Sequence, residues 1–175
     1  VMGEQPAPVA QPRPAPVVPV ASPLFEQADK FVADIEGGFV ANDGGKGPTN
    51  FGINQRAHPN VDVRKLTPEA AVSIRKQYWD GLSLDRKPPA TAMVAYDAAI
   101  NQGPSYAMEL IEITGGDPAL MLYQRRLDYR NLAKSPLHKN NLAGWERRLN
   151  ELSKQLQGLS AETPPVVQPP TAQDG

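Results

Sequence analysis

Residues 24–158 predict a mainly α domain with one small β-hairpin beside a cleft, and three observations carry that expectation. Apolar side chains recur at steps of three and four in successive runs from Leu24 to Leu156, the spacing of helices that bury one face. The stretch from Gly37 to Gly52 holds six glycines, a density that a helix interior does not tolerate and that turns require. Of 19 prolines, seven fall in residues 1–23 and four in 164–170. Both flanks, 1–23 and 159–175, are therefore expected to be extended, disordered proline-rich linkers rather than folded chain.

Each element has its own signals. Ser22-Pro23 combines a capping hydroxyl with a proline at the first helical position, and Leu24, Phe25, Ala28, Phe31, Val32 and Ile35 follow at helical spacing. That helix delivers Glu36 at its last turn and stops at Gly37. Phe39/Val40 and Phe51/Ile53 are expected to pair as a short hairpin folded over the helix end. Thr67-Pro68-Glu69 opens a second helix that runs to Asp80-Gly81, with Tyr78 and Trp79 assigned to the core in preference to a sugar-stacking platform. Pro88-Pro89 precedes a helix of small residues, Ala90 to Ile100, whose alanines allow close packing and make it the expected central helix. Asn101-Gln102-Gly103-Pro104 ends it. Ser105 to Thr114 forms the next helix, stopped by Gly115-Gly116. Asp117-Pro118 starts another, through Leu120, Met121, Leu127 and Leu132, with Arg125, Arg126 and Arg130 expected on its outer side. Leu142, Trp145, Leu149, Leu152 and Leu156 mark a last amphipathic helix ending at Gly158, with Trp145 in the core.

Composition narrows the function. A formal charge of −1 over 175 residues gives no global attraction to nucleic acid. There is no cysteine and only His58 and His138, so neither a disulfide nor a metal centre is expected, and the two histidines are assigned to the surface. No stretch is apolar enough to span a bilayer, and the first residues lack a signal-peptide pattern. Val1 and the proline-rich flanks suggest a domain tethered within a longer polypeptide. Residues 118–157 carry eight Lys/Arg against three Asp/Glu, while 24–117 carry nine against thirteen; this asymmetry could orient the domain on an anionic polymer.

The chemistry centres on Glu36, Asp43 and Thr49, which the helix end and the hairpin would bring around one cleft. Two carboxyl groups across a cleft are the minimum equipment for cleaving a glycosidic bond, one donating a proton to the leaving oxygen and one remaining ionised. Glu36, on a helix end with an apolar face, suits the first role. Its alternative is a solvated helix-end carboxylate, which the helix dipole disfavours. Asp43, in a wetter glycine-rich loop, suits the second, and its alternative is a turn former in Asn42-Asp43-Gly44-Gly45. Thr49 could equally be an ordinary strand threonine. Lys46 is assigned to a solvated loop in preference to a contact with a substrate carboxylate. Asn50, Asn101 and Gln102 are candidate substrate-binding amides, Asn101 and Gln102 alternatively forming a capping turn.

Glu36-Gly37-Gly38-Phe39, the acidic glycine loop, Thr49-Asn50-Phe51-Gly52-Ile53-Asn54, Tyr96-Asp97-Ala98-Ala99-Ile100-Asn101-Gln102-Gly103 and Gly144-Trp145-Glu146-Arg147-Arg148 together resemble the Glu-Gly-Gly-Tyr N-acetylmuramidases, glycoside hydrolase family 108. The chain differs from that pattern at Phe39, where the family has Tyr, and in a shorter acidic loop. The resemblance covers roughly 24–157 and implies a lysozyme-like fold, found in phages and in bacterial secretion activators. It implies Glu36 as catalytic acid in hydrolysis of the β-1,4 bond between N-acetylmuramic acid and N-acetylglucosamine, without a cofactor. Asp43 would then be the base, with Thr49 also holding the attacking water. The Asp and Thr of more distant phage lysozymes are separated by five residues, as Asp43 and Thr49 are. A lytic transglycosylase, which needs only the glutamate, and a non-catalytic peptidoglycan-binding module are the competing expectations. The expected setting is a phage virion protein acting on the host cell wall or periplasm, joined to the rest of its polypeptide by the proline tethers; a bacterial periplasmic or secreted enzyme is the alternative.

Overall fold

One helix of small residues runs through the middle of the molecule because nothing on it projects far enough to keep neighbours away. The computed structural model describes residues 21–41 and 47–162. Its helices are α1 (Pro23–Glu36), α2 (Pro68–Gly81), α3 (Pro89–Gln102), α4 (Pro104–Thr114), α5 (Pro118–Leu132) and α6 (Leu142–Glu162). Strands β1 (Thr49–Asn50) and β2 (Ile53–Asn54) lie between α1 and α2, and single 3-10 turns at Val63–Lys65 and Leu84–Arg86 flank α2. Every residue from Thr91 to Ala99 is buried, and α1, α2, α4, α5 and α6 all pack on α3. Among the described residues no helix is long and apolar enough to cross a membrane.

The helix starts follow local chemistry. The hydroxyls of Ser22 and Thr67 and the carboxylate of Asp117 accept from Phe25 N, Ala70 N and Leu120 N, and proline occupies the first turn of α1 to α5. Such caps satisfy amide groups the helix leaves unpaired, each worth roughly 1 kcal/mol. The main core closes on an aromatic trio in which Trp79 packs edge-on against Phe25 and Tyr96, 5.6 and 5.4 Å away. Trp79 is fully buried, in agreement with its expected core position.

The hairpin differs from expectation in its partners. Thr49 pairs with Asn54 and Asn50 with Ile53, around a turn in which Phe51 and Gly52 both have positive φ, 50° and 77°. This is the twist that two-residue hairpins favour. Val40 joins through one bridge to Thr49, but Phe39 and Val40 are 48% and 46% exposed, so they contribute little apolar burial. The hairpin instead has its own small core, in which buried Ile53, Val63 and Ala71 are joined by Phe51, Leu66 and Ile74.

Two helical faces also need correction. On α5, Leu120 and Leu132 are 53% and 44% exposed while Arg125 is fully buried beside Met121, Leu122 and Tyr129; the arginine faces inward because an acidic partner waits on α3. Helix α6 continues through Gly158 to Glu162, since Leu156 and Leu159 both pack on the core and outweigh the cost of about 1 kcal/mol for one helical glycine. The histidines are half-buried rather than superficial. His58 Nε2 lies 2.7 Å from the Tyr78 hydroxyl, and burial lowers its pKa.

Candidate active site

Glu36 is the last residue of α1, and the turn after it is reversed by Gly37 at φ 65°. This places the carboxylate at the wall of a cavity of about 850 Å³. The cavity is bounded by Thr49, Gly52 and Asn54 of the hairpin, by Ile100, Asn101 and Gln102 at the end of α3, and by Tyr106 of α4. Its far wall comes from Asp128, Tyr129, Asn131 and Leu132 of α5, the turn through Ser135, His138 and Asn141, and Trp145 of α6. Most of these residues come from element ends, where backbone and short side chains leave space.

The hairpin touches Glu36 directly. A Cβ at Gly52 would stand 3.1 Å from Glu36 Cγ and 3.4 Å from the Ile100 side chain, so glycine is required there for space as well as for its positive φ. The hairpin is held in that position by Arg75 of α2, whose Nη1 donates to the Phe51 carbonyl at 2.7 Å. The same guanidinium grips buried Asp29 of α1 through two bonds of 2.6 and 2.9 Å, and Tyr96 donates to Asp29 at 2.6 Å. One arginine thus ties the strained turn to two helices.

Behind Glu36 lies a buried network of charge that periodicity alone does not indicate. Arg148 Nη1 donates to Glu36 Oε1 at 2.5 Å, while its Nε donates to Asp97 of α3 at 2.9 Å. Asp97 also accepts from Arg125 Nη1 at 2.8 Å. Burial by itself would raise the Asp97 pKa, but the guanidiniums of Arg148 and Arg125 outweigh it and hold the carboxyl below its usual range. Arg125 continues to Gln102 at 2.9 Å and to the Tyr129 hydroxyl at 3.1 Å, and Tyr129 donates to Asn101 at 2.6 Å. The surroundings of Glu36 are thus ionic as well as apolar. A cation at this point also complements the negative end of the α1 dipole.

The other candidates fall in different places. Thr49 is buried on β1, lines the cavity and accepts from Asn54 Nδ2 at 3.0 Å. Asn101 and Gln102 line the cavity too, each with its side-chain oxygen accepting from the network. Asn50 does not line it: its amide donates to Val63 O at 2.9 Å and is buried in the hairpin's support. Asp43 and Lys46 lie outside the described residues, so the acid–base pair has no observed separation. Trp145, expected in the core, packs against it and is half-buried where it also forms cavity wall, and His138, expected at the surface, lies beside it.

The positive excess of 118–157 is largely spent within the fold. Arg125 and Arg148 are buried on Asp97, and Arg126 and Arg130 share Glu146. No Lys or Arg is among the cavity-lining residues described. Among the described residues no group of three or more His, Asp or Glu side chains could hold a metal ion.

Comparison with known families bears on this site directly. The Glycosyl hydrolase 108 family model matches residues 30–103. The match supports this family, the one that the Glu36–Asn54 motif resembles, and with it a glycosyl hydrolase that degrades peptidoglycan. It runs from the second half of α1 to the end of α3, and so includes Glu36, the hairpin, Asp97, Asn101 and Gln102. The α5 and α6 residues that complete the site, Arg125, Trp145 and Arg148 among them, lie beyond the match. No curated protein and no solved structure matches the chain.

Proposed function

We propose that this domain is an N-acetylmuramidase that hydrolyses the β-1,4 bond between N-acetylmuramic acid and N-acetylglucosamine in peptidoglycan. The observation that carries this proposal is the position of Glu36, a helix-end carboxylate at the wall of the cavity, directly against the hairpin turn. Glu36 is the proposed general acid. Arg148 donates to the Glu36 carboxyl group, so the proposed acid step requires that contact to loosen as substrate fills the cavity. Asp43 is the proposed base and Thr49 a second hydrogen bond to the attacking water. That arrangement calls for inversion and for a carboxyl separation of roughly 6.5–9.5 Å, which leaves room for the water. Asn101 and Gln102 are the proposed substrate amides of the cavity; Asn50, bonded to Val63 O, is not among them. The proposed setting is the bacterial cell wall, reached by a phage particle that carries the domain between its proline-rich flanks.

Glu36→Gln keeps size and hydrogen bonding and removes the transferable proton. Clearing of purified cell walls should fall by about 10²–10⁴-fold with the circular dichroism unchanged. A folded Glu36→Gln protein that clears walls at the parent rate overturns the enzymatic assignment. Product analysis separates the alternatives: a reducing end marks the hydrolase, an anhydro-muramic end the transglycosylase, and pull-down on walls without clearing by the parent protein a binding module. Inverted configuration in a reducing-end NMR time course supports Asp43 as base, and net retention removes it from that role.

A further inference from the structure

The cavity extends well past Glu36, and its far wall has a chemistry of its own. Trp145 precedes Arg148 by three residues on α6, about 4.5 Å along its axis; Trp145 lines the cavity, while Arg148 lies behind Glu36. The Trp145 ring stacks on Tyr129 at 4.6 Å with an interplanar angle of 17°, and the Tyr129 hydroxyl is itself tied to Asn101 and Arg125. The aromatic wall is therefore held before any ligand arrives, which removes part of the ordering cost of binding. His138 continues it at 5.9 Å, and among the described residues its buried Nδ1 has no hydrogen-bond partner.

Asp128, next to Tyr129 on α5, is the second carboxylate lining the cavity among the described residues. It differs from the buried acids Asp29 and Asp97, and from Glu36, each of which is paired with an arginine. Asp128 instead accepts from two neutral donors, the Tyr106 hydroxyl at 2.6 Å and Gln124 Nε2 at 2.9 Å. A carboxylate offers about four lone-pair positions, so acceptor capacity remains. Among the described residues no lysine or arginine lines the cavity. An aromatic surface beside a carboxylate held by neutral donors matches a ligand with an apolar face and a rim of hydroxyl and amide donors.

We infer that this far wall is a sugar subsite separate from the Glu36 locus, in which Trp145 packs against an N-acetylated pyranose ring and Asp128 accepts from its hydroxyl or acetamido N–H groups. The inference rests on the proposed action on a glycan, but it concerns binding and is tested apart from turnover. The chain has two tryptophans, and Trp79 is fully buried in the core, so a ligand-induced change in emission reports on Trp145. In a Glu36→Gln background, titration with a soluble β-1,4-linked N-acetylglucosamine tetramer should give a saturable emission change. Trp145→Phe should abolish that change, while calorimetry still detects binding weakened several-fold. Asp128→Asn should weaken binding about tenfold and, with Glu36 intact, raise KM by a similar factor with kcat retained, as expected for binding shared by ground and transition states. Thermal melts of both variants check that the wall remains folded. Absence of any emission change in the parent background, or parent-like affinity in both folded variants, overturns the subsite. Undiminished wall clearing by Glu36→Gln together with tetramer binding that depends on Asp128 overturns the proposed catalysis and supports the subsite.

Discussion

Gly52 shows how narrowly single atoms define this site. Its φ of 77° already disfavours any side chain, and the missing Cβ is where Glu36 Cγ passes at 3.1 Å. Gly52→Ala therefore carries a backbone cost of roughly 1–2 kcal/mol and pushes Glu36 from its place. The expected result is a lowered melting temperature and a kcat reduced by about tenfold or more, because small misplacements of a reacting group are costly. Parent kinetics in Gly52→Ala would show that the hairpin turn does not position Glu36. Arg148 makes a different point, since its fork spans Glu36 and Asp97 at once. Lysine supplies charge without the fork. Arg148→Lys should therefore lower kcat more than it raises KM, measured by steady-state kinetics on a defined glycan.

Among the elements, the hairpin depends most on others. Two paired strands of two residues each are not stable alone, and the turn through Phe51 holds a non-glycine residue at φ 50°. Arg75 compensates by binding Phe51 O and Asp29 together. Arg75→Met would leave buried Asp29 with Tyr96 as its remaining donor among the bonds described. Loss of one partner of a buried ion pair typically costs about 3–5 kcal/mol. Denaturant unfolding should show a loss of that order, and hydrogen exchange should accelerate first at the amides of Asn50 to Asn54. Uniform acceleration across all helices would instead mean that Arg75 acts on the core as a whole.

At the scale of the molecule, Asp97 is the charge on which three helices meet, receiving Arg125 from α5 and Arg148 from α6 while it sits on α3. Its carboxyl is held below the ordinary value of 3.8 in the folded state, so the folded chain binds its proton less readily than the unfolded chain does. The stability this contributes is present above 3.8 and is lost as the pH falls through the depressed folded value. Melting temperature should hold down to about pH 4 and fall steeply below it. A melting temperature that stays level from pH 5 to pH 2 would rule out Asp97 as the acid-sensitive centre.

Much was legible in the chain itself because the relevant physics is local. Serine, threonine or aspartate before proline started helices where expected, Gly37 ended α1 at Glu36, and a run of alanines marked the helix that could be surrounded on all sides. The Glu36 motif and its family resemblance were equally readable, since both rest on consecutive residues. Arg125 and Arg148 were not, because an arginine on an apolar stripe is stable only if an acid faces it from elsewhere, and Asp97 is 28 and 51 residues away. The available signals were positions: Arg125 four residues from Met121 and Tyr129, Arg148 three from Trp145, and Asp97 a lone charge among buried alanines. Sequence by itself determined which residues form helices and which carboxylate ends the first one. Tertiary packing alone decided what faces that carboxylate, because the arginine that grips Glu36 and the tryptophan that lines its cavity arrive on a helix more than a hundred residues later.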